Sequence, residues 1–191
     1  MPAGKRIAVL GLAAMLAVST AAAQTAQPRH PLDVPYVPTT DDAVTAMLKL
    51  AGVKSTDTVY DLGCGDGRIV IAAAKQFGAH GVGIDIDPQR IADARKNAKD
   101  AGVENLVRFE ENDLFDADIH QASVVTLFLL SSVNLKLKPK LFSELKPGTR
   151  VVSNTFEMGD WKPEKDVYLG DPNGGAWLSN HIFLWTIPAK K

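Results

Sequence analysis

Val59-Tyr60-Asp61-Leu62-Gly63-Cys64-Gly65-Asp66-Gly67-Arg68-Ile69-Val70 is the stretch on which the reading of this chain turns. Thr58–Leu62 reads as a short buried strand, the glycines as a sharp turn, and about 67–77 as a helix stopped by Gly78. In an open α/β sheet such a turn stands at the carboxyl end of a strand, where ligands bind. Gly63, Gly65 and Gly67 lack Cβ atoms, so the backbone can turn tightly and come close to a ligand, with the free N–H groups of the next helix beside it. Two details restrict that ligand. A dinucleotide fingerprint needs glycine where Arg68 stands, and Asp61 and Asp66 would repel a pyrophosphate. The same two acids suit a ligand that carries an ammonium and a sulfonium.

Outward from this turn, short apolar strands alternate with helices. A helix over roughly 42–51, opened by Thr40-Asp41-Asp42, precedes the first strand. Gly81–Ile86 is a strand, followed by a helix over 88–101, with Asp87 as N-cap and Pro88 at the first helical position. Strands Leu106–Glu110 and Ser123–Leu129, a helix near 133–145 and strand Thr149–Thr155 follow. The alternation predicts a doubly wound, mostly parallel α/β sheet. Then the rhythm changes: Val167–Leu169 and Trp177–Ile187 are joined by Gly170-Asp171-Pro172-Asn173-Gly174-Gly175, which predicts an antiparallel hairpin at the end of the sheet.

Length and charge exclude several classes. One core fits 191 residues, and a formal charge of −1 gives no basic excess for nucleic-acid binding. The single cysteine, Cys64, excludes an intrachain disulfide and a cysteine-built zinc cluster, and the four histidines never stand at i, i+4, so no metal is expected. In front of the domain, Lys5-Arg6 and the apolar run Ile7–Ala23 read as a cleaved secretory signal, with an uncleaved anchor over residues 7–23 as the rival. Residues 24–40 read as an extended lead-in and 41–191 as the domain. Without residues 1–23 the balance is −3.

Two further acids extend the pattern of the turn. Asp85 ends the second strand, placed to accept the hydroxyls of a ribose, and Asp113 follows the third, placed to accept from an adenine amine. The bland alternatives are a capping role for Asp85 and a turn role for Asp113. Taken in order, Asp-x-Gly-x-Gly-x-Gly, Asp85 and Asp113 resemble the class I S-adenosylmethionine-dependent methyltransferases over residues from about 35 to 187. The resemblance implies a Rossmann-like sheet of seven strands with an antiparallel end. It also implies that Gly63, Gly65 and Gly67 line the methionine part, with Asp66 in the same loop. Asp61 then serves the amino group, Asp85 the ribose, and Asp113 with Leu114 the adenine.

A narrower likeness is carried by Val34-Pro35-Tyr36-Val37-Pro38-Thr39, by Gly65 to Lys75, and by Phe156 with Trp161-Lys162-Pro163. These resemble the ATP synthase c-subunit lysine methyltransferases and their bacterial relatives, which implies a protein lysine as acceptor. A small-molecule or lipid acceptor, and a non-catalytic exported binding module, are the alternatives. Thr126-Leu127-Phe128-Leu129-Leu130-Ser131-Ser132 has no Asn/Asp-Pro-Pro-aromatic clamp, which argues against a nucleobase acceptor. Tyr36, Phe128, Phe156 and Trp161 are candidate walls of an amine pocket, and Tyr36, Glu157 and Trp161 the candidate catalytic residues. Lys136, Lys138 and Lys140 alternate with Leu137, Leu141 and Leu145 in the pattern of a helix with a wet side. Cys64 reads as a small packing residue. The leader predicts a periplasmic or membrane-anchored protein, cytoplasmic if it is unused, although S-adenosylmethionine is made in the cytoplasm.

Overall fold

The computed structural model describes residues 37–170 and 181–189. The leader, Tyr36, the turn Asp171–Gly175 and Trp177 lie outside them. In chain order the elements are α1 (Asp41–Leu50), β1 (Thr58–Leu62), α2 (Arg68–Phe77), β2 (His80–Asp85), α3 (Pro88–Asp100) and β3 (Val107–Glu111). They continue with β4 (Val124–Leu127), α4 (Ser131–Glu144), β5 (Arg150–Asn154), β6 (Lys165–Tyr168) and β7 (His181–Thr186). The strands form one seven-stranded sheet, ordered β3-β2-β1-β4-β5-β7-β6. Neighbours from β3 to β5 pair parallel, whereas β7 pairs antiparallel with both β5 and β6. The expected antiparallel end is present, with the later strand inserted inside the earlier one.

Three helix boundaries have a clear local cause. Thr40 Oγ1 accepts from the Ala43 N–H at 3.3 Å to open α1, and Asp87 Oδ1 accepts from Gln89 N–H at 2.8 Å to open α3 behind Pro88. Gly78 closes α2 in the left-handed conformation. The end of β4 departs from expectation: the strand stops at Leu127 and α4 starts at Ser131, two residues earlier than the pattern suggests. Leu130, the residue before α4, makes no side-chain cap bond, so no capping signature marks the start.

The sheet is buried on both faces. One apolar cluster holds Val59, Val124, Val152 and Leu184 with α1, α2 and α3, and the other holds Leu62, Leu127, Val151 and Trp185 with α4. Leu137, Leu141 and Leu145 are fully buried, and the two lysines between them are partly covered and paired with acids, Lys140 with Glu144 at 2.7 Å and Lys138 with Asp160. At the amino edge Arg150 donates to the Ala51 carbonyl at 2.7 Å and to Asp57 at 2.5 Å, fastening the α1–β1 connection to β5. Among the described residues no helix is long and apolar enough to cross a membrane.

Gly67 is the N-terminal boundary of α2, at φ +78°. A Cβ there would stand 2.6 Å from the Phe109 ring and 2.9 Å from Ala94 Cβ. Gly67→Ala should therefore cost roughly 2–4 kcal/mol, a left-handed penalty plus overpacking, read as a lower midpoint of urea denaturation.

Candidate functional site

At the carboxyl edge of β1 and β2 the glycine turn is held by a short network. Gly63 N–H and Cys64 N–H both donate to the Ile84 carbonyl, at 2.8 and 2.9 Å, and Gly65 N–H donates to Asp85 Oδ2 at 2.8 Å. Asp85 Oδ1 accepts from Asp87 N–H at 3.0 Å, so each oxygen takes one backbone bond and keeps acceptor capacity. Asp87 does the capping, which removes that alternative for Asp85. Where Cβ atoms would meet their surroundings, the missing ones are demanded from inside. A Cβ on Gly63 would reach Leu129 at 2.9 Å, as one on Gly67 would reach Phe109. These two glycines let the loop pack against β3 and the β4 exit as well as turn.

Asp61 is the buried acid of the set, 3% exposed, its Oδ1 accepting from Thr126 Oγ1 at 2.8 Å. Burial first, against the pull of the Thr126 hydroxyl, and then the charges of Asp85 and Asp66 together push its carboxyl up to about 7. Asp85 is likewise raised, first by burial, against the pull of its two backbone N–H bonds and with repulsion from Asp87. The loop is thus a concentration of carboxylates that repel one another. It fits a cationic ligand and does not fit a pyrophosphate.

Asp66 is in the loop but engaged: Oδ1 accepts from Arg68 Nε at 2.9 Å and Oδ2 from its Nη2 at 2.6 Å. Arg68 also donates to the Thr39 carbonyl at 2.8 Å, tying the lead-in to the loop. The arginine that stands in place of a dinucleotide glycine is therefore a clamp. Asp113 makes an Asx turn, Oδ1 accepting from Phe115 N–H at 2.8 Å, with Leu114 half-buried beside it. This is the turn role named as its bland alternative, and it uses Oδ1 only.

Phe128 and Phe156 leave β4 and β5 at the same edge and stack, with centroids 6.1 Å apart. Trp161 does not join them. It packs on Phe142 at 4.6 Å and Trp185 at 5.8 Å, and its carbonyl accepts from Trp185 Nε1 at 2.7 Å. Glu157 is exposed next to Phe156, and Tyr36 lies outside the described residues. Cys64 is buried, and burial, with the charges of Asp61 and Asp85, pushes its thiol up, so it stays protonated. Asp118 and His120, exposed in the connection before β4, and the half-buried Glu144 at the end of α4 bring ligand atoms within 4.8 Å of one another, but near the opposite, amino edge.

Sequence reasoning missed Thr126 and the clamping role of Arg68. A lone threonine in the apolar strand Val124–Leu127, paired in register with Asp61, is the signal for the first. An arginine two residues after an aspartate is too common to signal the second.

A family model, the ANTKMT methyltransferase domain, matches residues 61–165. A protein-lysine N-methyltransferase of Saccharolobus islandicus (strain REY15A) is 46% identical over 159 residues, 83% of this chain and 96% of that protein. The ATP synthase c-subunit lysine N-methyltransferase of Xenopus laevis is 35% identical over 146 residues, 76% of this chain and 63% of the frog protein. Among solved structures, an RNA methyltransferase from Salinibacter ruber in complex with S-adenosyl-L-homocysteine superposes with a TM-score of 0.74. It is 55% identical and covers 81% of this chain and 96% of its own.

The Asp61 carboxyl gives a stability signature. Its folded pKa, about 7, exceeds the ordinary 3.8, so between those values the folded state holds a proton that the unfolded state releases. Stability falls as pH rises through that window. Asp61→Asn, which keeps an acceptor for Thr126, should leave stability near pH 4 little changed. At pH 8 it should raise it by at most about 4 kcal/mol, measured by urea denaturation.

Proposed function

Since the chain belongs to the ANTKMT methyltransferase-domain family and is an S-adenosylmethionine-dependent methyltransferase, we propose that its acceptor is the side-chain amine of a protein lysine. The observation that carries this reading is the aromatic pair Phe128–Phe156 beside a carboxylate-lined turn. It occurs in a chain that matches a protein-lysine N-methyltransferase along nearly that protein's whole length.

The residues that would hold the cofactor are the glycine turn and Asp61 for the methionine part, Asp85 for the ribose, and Asp113 with Leu114 for the adenine. When bound, S-adenosylmethionine supplies a methyl group already activated on a sulfonium. The contribution of the chain is positioning, which is worth roughly 7–11 kcal/mol in well-oriented intramolecular reactions. Phe128 and Phe156 would take the acceptor amine out of water, which favours its neutral, nucleophilic form, while their ring faces tolerate the methylated cation. Glu157, exposed beside Phe156, would be available to take the proton that the amine gives up and pass it to water. The leader Lys5–Ala23 supports placement at or beyond the membrane.

An RNA acceptor is the second reading, favoured by the name of the Salinibacter protein. Against it stand the charge of −1 and the apolar Leu127-Phe128-Leu129-Leu130 stretch where a base clamp would be. Full-length protein given methyl-labelled S-adenosylmethionine with separated protein and RNA extracts decides between them. Label on lysine side chains, located by mass spectrometry, is the expected result; label in RNA alone overturns the lysine reading.

Cofactor binding should also be linked to protons. A cationic ligand favours ionised Asp61, so affinity should fall as pH drops from 7 to 5, with proton release on binding, read by calorimetry in buffers of different ionisation enthalpy. Asp85→Ala should weaken cofactor binding by about 1–3 kcal/mol.

A further inference from the structure

Asn134 is fully buried in the first turn of α4, where an apolar residue would serve packing. Its Nδ2 donates to the Phe156 carbonyl at 3.2 Å and to Ser153 Oγ at 3.4 Å, and its Oδ1 has no hydrogen-bond partner among the described residues. Turning the amide over would let Ser153 satisfy Oδ1, but would set Oδ1 against the Phe156 carbonyl. The orphaned oxygen is thus the cost of an orientation held for Phe156, the kind of buried defect that calls for a reason.

The backbone at the same place is strained. Thr155, at φ +68°, is the one non-glycine residue in the left-handed region among the described residues. The turn is closed by Phe156 N–H donating to the Asn154 carbonyl at 2.8 Å and Thr155 N–H donating to the His181 carbonyl at 2.7 Å. Such strain persists only where the surroundings over-determine it. Here it aims the Phe156 ring at Phe128.

Resting on the proposed lysine-methylating reading of that aromatic pair, we infer that Asn134 is a positioning residue. By holding the Phe156 carbonyl it keeps the strained turn closed and the Phe156 ring in place as a wall of the acceptor pocket. It acts on acceptor binding and leaves the cofactor seat at β1 and β2 alone.

The test uses the full chain with para-fluorophenylalanine at position 156, fluorine NMR, and methyl transfer to poly-L-lysine. Wild type should give one narrow fluorine line. Asn134→Ala should shift or split it and raise KM for poly-L-lysine about tenfold, with S-adenosylmethionine affinity unchanged within about twofold. Adding Thr155→Gly, which makes the left-handed turn free of strain, should restore both the line and KM. A purely structural role would not be rescued in this way. An unchanged line and KM in Asn134→Ala, or a loss of cofactor affinity in step with folding that Thr155→Gly does not repair, overturns the inference. Phe156→Ala separates the two readings. If it leaves KM unaltered, or if wild type does not methylate poly-L-lysine, the acceptor reading fails, while the fluorine lines still decide whether Asn134 holds the ring.

Discussion

A carboxylate buried beside two others, with one hydroxyl to hold it, is the constraint around which this molecule is arranged. Asp61 sits at the end of β1 with Thr126 as its hydrogen-bond partner and Asp85 and Asp66 close enough to disfavour its charge. Nothing in folding asks for that. An asparagine would keep the bond to Thr126 and avoid the desolvation. The arrangement stabilises something only when positive charge arrives, and the family to which the chain belongs takes a cationic donor. On the proposed reading, stability given up in the free protein would appear as affinity in the loaded one, a trade common where sites are built from repelling groups.

The scaffold around this defect is tightly determined. Asp85 carries the Gly65 and Asp87 N–H groups, the Ile84 carbonyl takes two more from the turn, and Phe109 and Leu129 occupy the space that side chains at Gly67 and Gly63 would need. The glycines are therefore first a packing requirement. Arg68 then holds Asp66 away from free rotation and reaches the Thr39 carbonyl, so the lead-in is fixed to the same loop.

Much of this was legible in the sequence because it is local. Asp87-Pro88, Gly78 and the alternation of short apolar strands with helices place most elements within a residue or two, since caps and stops act over one turn. The antiparallel end followed from turn residues, although the insertion of β7 between β5 and β6 is a tertiary choice that no local signal records. The early start of α4 was hidden because Leu130 offers no cap. The site residues divide along the same line. The placement of Asp61 and Asp85 at the carboxyl ends of their strands was readable, whereas Asp66 is defined by Arg68, and Trp161 by Phe142 and Trp185, partners that only the fold supplies.

A crystal structure of the full chain with S-adenosyl-L-homocysteine tests the account most directly. The account predicts the ligand's amino group within hydrogen-bond reach of Asp61 and both ribose hydroxyls on Asp85, with the Gly65–Asp85 bond retained. A ligand bound away from these two carboxylates, in a sheet otherwise unchanged, would contradict it.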